Sequence, residues 1–187
     1  MSKARFNLAL ARDYLAAPHQ PEHPIVQRSY DLFRGYIEAQ YAALLATGLD
    51  VDFQEDNPYS CSADLFADIE RGVLLIYGLG EPPRNHPMNG TPNLHFRAVH
   101  DWLGHYGCDP EAEHYGFGRS GEELAFLRHR DTLPSGAWLA LCCETRAQTA
   151  CNLWLHDVRR GPNPPAYAPQ KAVLLPSMYY EGSDALV

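Results

Sequence analysis

A chain of 187 residues has the length of one domain with a full core, and its 45% hydrophobic content is ordinary for a globular protein. The formal net charge of −8 argues against a general nucleic-acid or anionic-membrane surface, because phosphate binding needs a basic face. Five cysteines, Cys61, Cys108, Cys142, Cys143 and Cys151, make no CxxC pair and no framework spacing, which fits reduced thiols in a cytoplasm.

In chain order, residues 3–16 predict a short helix with no signal-peptide core. Pro18, Pro21 and Pro24 punctuate a connector after it. Val26, Tyr30, Phe33, Ile37, Tyr41 and Leu44 recur every three or four residues and predict an amphipathic helix ending near Thr47-Gly48. A helix over about 63–71 follows, with Ser62 as N-cap. The run VLLIY, residues 73–77, reads as a buried strand, and the Gly- and Pro-rich stretch after it as a long loop. Helices are expected over about 93–104, 120–130 and 135–156. After a break at GPNPPAYAPQ, the tail should add a strand or pack as an arm. The expectation is mainly α: a single domain, 1–187, of helices around a buried metal site, with one or two short strands. Residues 1–24 supply a helix and Pro-rich connector, and 161–187 a C-terminal arm.

Two places carry the chemistry. Glu144 lies in WLALCCETRAQTACNLW, apolar on both sides, where a carboxylate is costly unless paired, hydrogen-bonded or on a metal. Gln148 shares its face one turn on. The stretch HFRAVHDWLGH holds His95, His100, Asp101 and His105. Five residues on an α-helix turn through about 500°, so His100 and His105 point about 140° apart. Gly104 would let the helix end or turn and swing His105 back toward His100. Asp101 and His105, four apart, meet without distortion. Two histidines and one carboxylate form the facial triad of non-haem Fe(II) sites.

HDWLGH followed by Glu144 resembles the iron site of the pterin-dependent aromatic amino acid hydroxylases, over about residues 60–150. That family carries a His-(Glu/Asp)-x-x-Gly-His motif and a third ligand about forty residues on. TPN at 91–93, Phe117 and GEE at 121–123 fall near similar family features. The resemblance implies His100, His105 and Glu144 as iron ligands, Asp101 as an acid near the pterin, and Arg84 as the holder of a substrate carboxylate. It also implies Fe(II), O2 and a tetrahydropterin as electron donor. Of the aromatics that precede the family's ligand Glu, only Trp138 is nearby.

Around this set, Trp102, Phe117 and Trp138 are expected as pocket walls, while Arg97 and Arg146 flank the ligand helices and could hold an anion. Glu122 and His129, seven apart, share a helix face. They read as a solvated face, as support for the site, or as ligands of a second metal. The function expected is an O2-dependent monooxygenase, an iron hydroxylase acting on a small aromatic or carboxylate-bearing substrate. A homo-oligomer is left open. One alternative is a divalent-metal phosphohydrolase of the His-Asp type, using His95, His100 and Asp101 with Asp131 or Asp157. The other is a non-enzymatic module whose polar groups fix the core.

Overall fold

In a computed structural model the chain is described over residues 3–80, 82–108, 111–158 and 168–182. Helix α1 (Lys3–Ala16) and α2 (Pro24–Ala46) form where the apolar spacing places them. The His23 side chain accepts from the Ile25 amide at the start of α2, and Pro24 occupies the first turn, where a missing N–H costs nothing. The inward stripe of α2, Val26, Tyr30, Phe33, Ile37 and Leu44, is fully buried. At about 1.5–3 kcal/mol per large buried apolar side chain, that stripe is a principal stabilising element.

Strand β1 (Asp50–Gln54), helix α3 (Ser62–Glu70) and β2 (Val73–Tyr77) make a small β-α-β unit. The strands are parallel, with Val51 opposite Leu74. β2 matches the VLLIY expectation. β1 was not foreseen, because DVDFQ is short, carries two aspartates, which strands disfavour, and is largely exposed. Leu44, Leu65, Leu74, Ile76 and Ala98 form a satellite core there. The main core joins α1, α2 and the C-terminal half of the chain.

Two of the expected helices take a different form. The helix expected at 93–104 is α4 (Thr91–Val99) running into a π-helical turn, His100–Tyr106. The Gly107 amide bonds the Trp102 carbonyl at 2.8 Å, an i→i+5 bond. The helix expected at 135–156 is a 3-10 turn followed by α6 (Trp138–Glu144) and α7 (Arg146–Val158). The break is Thr145, at φ −126° and ψ −85°. Its hydroxyl donates to the Leu141 carbonyl at 2.7 Å, a local bond that competes with helix continuation. The break lets Glu144 contact α2 while Arg146 contacts α5 (Arg119–Asp131).

The expected arm is described in part. Residues 161–167 and 183–187 lie outside the described residues. From Ala168 onward the chain packs inward rather than adding a strand, burying Ala172, Val173, Leu175 and Tyr179. Among the described residues no helix is long and apolar enough to cross a membrane.

Candidate metal centre

The π-helical turn resolves the spacing of the two histidines. With an i→i+5 repeat, residues five apart stand one above the other. The His100 and His105 ring centroids lie 5.1 Å apart. Gly104 therefore does not end the helix. Its role is space: a Cβ there would lie 3.0 Å from His100 Nδ1 and 3.1 Å from the Ala125 carbonyl of α5.

The third member is Glu122, from the first turn of α5. Ligand atoms of His100, His105 and Glu122 all lie within 4.8 Å of one another. His105 Nε2 is 3.7 Å from Glu122 Oε1. The loop before α5 approaches so closely that a Cβ on Gly121 would overlap the Gly116 carbonyl. That loop also brings the Tyr115 carbonyl to His105.

Both imidazoles have a nitrogen to offer. His105 Nδ1 donates to the Tyr115 carbonyl at 2.7 Å, so Nδ1 carries the proton and Nε2 has a bare lone pair. His100 Nδ1 meets His129 Nδ1 at 3.2 Å, while His100 Nε2 is buried with no hydrogen-bond partner. An orphaned buried nitrogen beside a bare lone pair and a carboxylate is a donor set that fits a divalent cation.

The electrostatics agree. Burial, then His105 and His129, holds the His100 pKa well below its usual value. Burial lowers His105 to about 4, against the hydrogen bond to Tyr115, and lowers His129 to about 3. Burial and the Asp101 charge push Glu122 up to about 8. Burial lifts Asp101 to about 7, opposed by Arg97. All three histidines are neutral near pH 7, as metal ligands and their supports must be.

Glu144 is corrected: it lies outside this group. Its Oε1 accepts from the Tyr30 hydroxyl at 2.5 Å, and its Oε2 from the Gln170 amide at 2.8 Å. His86 Nε2 stands 3.2 Å from Oε1, off the line of a hydrogen bond. His86 Nδ1 accepts from the Met88 amide, so its proton is on Nε2, facing the carboxylate. Gln170 also donates to Asn93, at the start of α4. The buried acid read as a ligand is thus a clamp joining α2, α4, α6 and the C-terminal arm.

The arginines are not brought to the donor set as a clamp. Arg84 is exposed. Arg97 donates to the carbonyls of Tyr77, Leu79 and Gly80. Arg146 forms a buried fork with Glu123, donates to the Tyr179 carbonyl, and lies over Phe126. Of the expected pocket walls, Phe117 meets the His105 ring edge-on at 5.1 Å and is 38% exposed, at the mouth of the site. Trp102 is half-buried between the two cores. Trp138 instead donates to the Arg130 and Leu133 carbonyls as part of the main core's edge. Gln148 is buried and donates to the Cys143 carbonyl. His129 supports His100, so the shared face of Glu122 and His129 is not solvated.

The His-Asp alternative is not assembled by the described residues. His95 stacks on Tyr41 and pairs with Glu38, Asp131 is exposed beside Arg130, and the Asp157 side chain lies outside the described residues. Sequence reasoning missed Tyr115, Gln40 and Thr132. Each acts through a carbonyl, amide or hydroxyl whose partner is distant in sequence, and no local pattern marks them.

Comparison with family models, characterised proteins and solved structures returns no match for this chain.

Proposed function

We propose that the chain is a metal-dependent hydrolase of amide or peptide bonds, with His100, His105 and Glu122 holding one divalent cation and Asp101 carrying the proton. The observation behind this reading is the buried, unpartnered His100 Nε2 standing with the bare His105 Nε2 beside the Glu122 carboxyl. On an α-helix, two histidines four apart with an acid directly after the first place two ligands and a general base on one face, as in the His-Glu-x-x-His zinc sites. The π-helical turn lengthens the repeat to five, so His100, Asp101 and His105 follow the same logic with one added residue. Two histidines and a glutamate are also a known catalytic zinc set.

A bound cation would polarise a carbonyl and acidify a water molecule. Asp101, balanced near pH 7, takes the proton from the attacking water as its oxygen bonds the acyl carbon. It returns that proton to the leaving nitrogen as the C–N bond breaks. His129 and the Tyr115 carbonyl fix the rings, and Phe117 offers an apolar wall at the mouth. A neutral scissile bond is favoured over a phosphate, since Arg97, Arg128 and Arg146 are committed to backbone carbonyls or Glu123.

The test is elemental analysis with peptide-cleavage assays on the zinc- and cobalt-loaded chain. About one metal per chain is expected, lost in His100→Ala, His105→Ala and Glu122→Ala. Asp101→Asn should keep the metal and lose about 100-fold or more in turnover. Metal retained in all three ligand variants would remove the site. The iron monooxygenase remains a second reading, because the same donor set suits Fe(II) with open positions. Oxygen consumption by the iron-loaded chain, with no cleavage by the zinc form, would select it.

A further inference from the structure

Behind His100 runs a chain of three side chains, Thr132, Gln40 and His129, whose donors and acceptors can be ordered. Thr132 caps α5, and its hydroxyl donates to the His129 carbonyl at 2.7 Å. Having spent its proton there, the Thr132 oxygen can only accept from Gln40, at 2.8 Å, so the Gln40 amide nitrogen faces it. The Gln40 carbonyl oxygen must then face His129 Nε2, at 3.3 Å. A carbonyl only accepts, so His129 carries its proton on Nε2 and has a bare Nδ1. That Nδ1 lies 3.2 Å from His100 Nδ1, which must supply the proton between them. His100 is thereby left with a bare Nε2, the atom that is buried and unpartnered.

We infer that Gln40 and His129 are positioning residues that lock His100 in the Nδ1–H tautomer and so present its Nε2 lone pair to the cation. The inference rests on the metal reading for its purpose but not for its proton order. The relay crosses from α2 to α5 to the π-helical turn, so ligand readiness depends on packing between helices distant in sequence. Glu122 and His105 need no such relay, since Tyr115 fixes His105 directly. His129 is fully buried, whereas Gln40 is only half-buried, so Gln40 is the place to cut the relay without disturbing the core.

The experiment is long-range proton–nitrogen NMR on the full chain, labelled at histidine nitrogens, metal-free and near neutral pH, with zinc and cobalt titrations of the same samples. In the unsubstituted chain His100 should show a protonated Nδ1 and a bare Nε2, and His129 the reverse. Gln40→Leu, which removes the acceptor, should mix the His100 tautomers and weaken metal binding about 10-fold, the lower range for lost partners of a ligand histidine. Gln40→Glu restores an acceptor at His129 Nε2 and should recover both signals. A His100 proton on Nε2 in the unsubstituted chain overturns the relay, as does a Gln40→Leu variant with unchanged tautomers and affinity. If the tautomers are as stated yet no zinc or cobalt binds, the proton order stands and the metal reading falls.

Discussion

The cluster around buried Glu144 and the cluster around half-buried Glu122 differ in what is left over. Around Glu144, Tyr30 and Gln170 each donate to the carboxylate, and His86 turns its N–H toward it. Around Glu122, His100 and His105 each direct a proton away from the centre, toward His129 and the Tyr115 carbonyl. The first cluster has protons directed inward, and both Glu144 oxygens accept one. The second has lone pairs directed inward, the arrangement that suits a cation. Burial of a carboxylate therefore does not distinguish a ligand from a structural clamp. The direction of the protons around it does.

Exchanging the two acids tests the difference most strongly. Glu144→Ala strands the Tyr30 hydroxyl and the Gln170 amide, at about 1–3 kcal/mol for each unsatisfied group. Denaturant unfolding should show a loss of about 3 kcal/mol or more, while the folded fraction keeps its metal. Glu122→Ala should do the opposite, abolishing metal binding with no loss of stability in metal-free protein near neutral pH, because its raised pKa marks the carboxylate as unfavourable there. If Glu144→Ala loses the metal at temperatures where it remains folded, the clusters have been assigned the wrong way round.

Gly104→Ala sharpens the geometry of the second cluster. The added methyl meets the His100 ring and the Ala125 carbonyl at about the closest approach tolerated. Overpacking of that kind costs about 1–3 kcal/mol. It should also weaken metal binding, because the methyl presses on the ring of His100, a proposed ligand. Calorimetric unfolding with and without zinc separates the effects, and an unchanged zinc affinity would show that the ring need not hold its place.

The smallest expected effect is in the pH response. His105 and His129 titrate near 4 and 3 in the fold, below the ordinary 6.5. The unfolded chain therefore takes up more protons below about pH 6.5, and stability falls as pH drops from there through the folded values. Glu122 has the opposite sign. Its pKa is raised from 4.5 to about 8, so the fold holds a proton there that the unfolded chain releases. The Glu122 contribution to metal-free stability thus falls as pH rises from about 4.5 to 8, and Asp101, lifted from 3.8 to about 7, contributes with the same sign, opposing the histidines below about pH 6.5. A cation replaces the Glu122 proton, so the gain in melting temperature on adding zinc should grow between about pH 5.5 and 8. A gain independent of pH would remove Glu122 from the ligand set.

The mainly helical fold was legible because its signals are local. The stripe of α2, the short β2 and the start of α5 each follow from apolar spacing or turn residues within one segment. The histidine pair was legible too, as an unusual density of ligand side chains. Its geometry was not. An α-helical wheel sets His100 and His105 apart, and only the bonds at Trp102 and Gly107 reveal the longer repeat. The Thr145 break was hidden in a run of good helix formers, since it depends on where Glu144 and Arg146 find partners.

The sequence by itself determined most of the helices and β2, that His100 and His105 belong together, and that an acid is buried at Glu144. Only the tertiary structure decided which acid joins the histidines. Tyr30 and Gln170 lie 114 and 26 residues from Glu144 along the chain, and it is their protons that satisfy its oxygens. A hydrogen bond's direction is fixed by the partners that folding brings together, and those partners leave no periodicity in the sequence to be read.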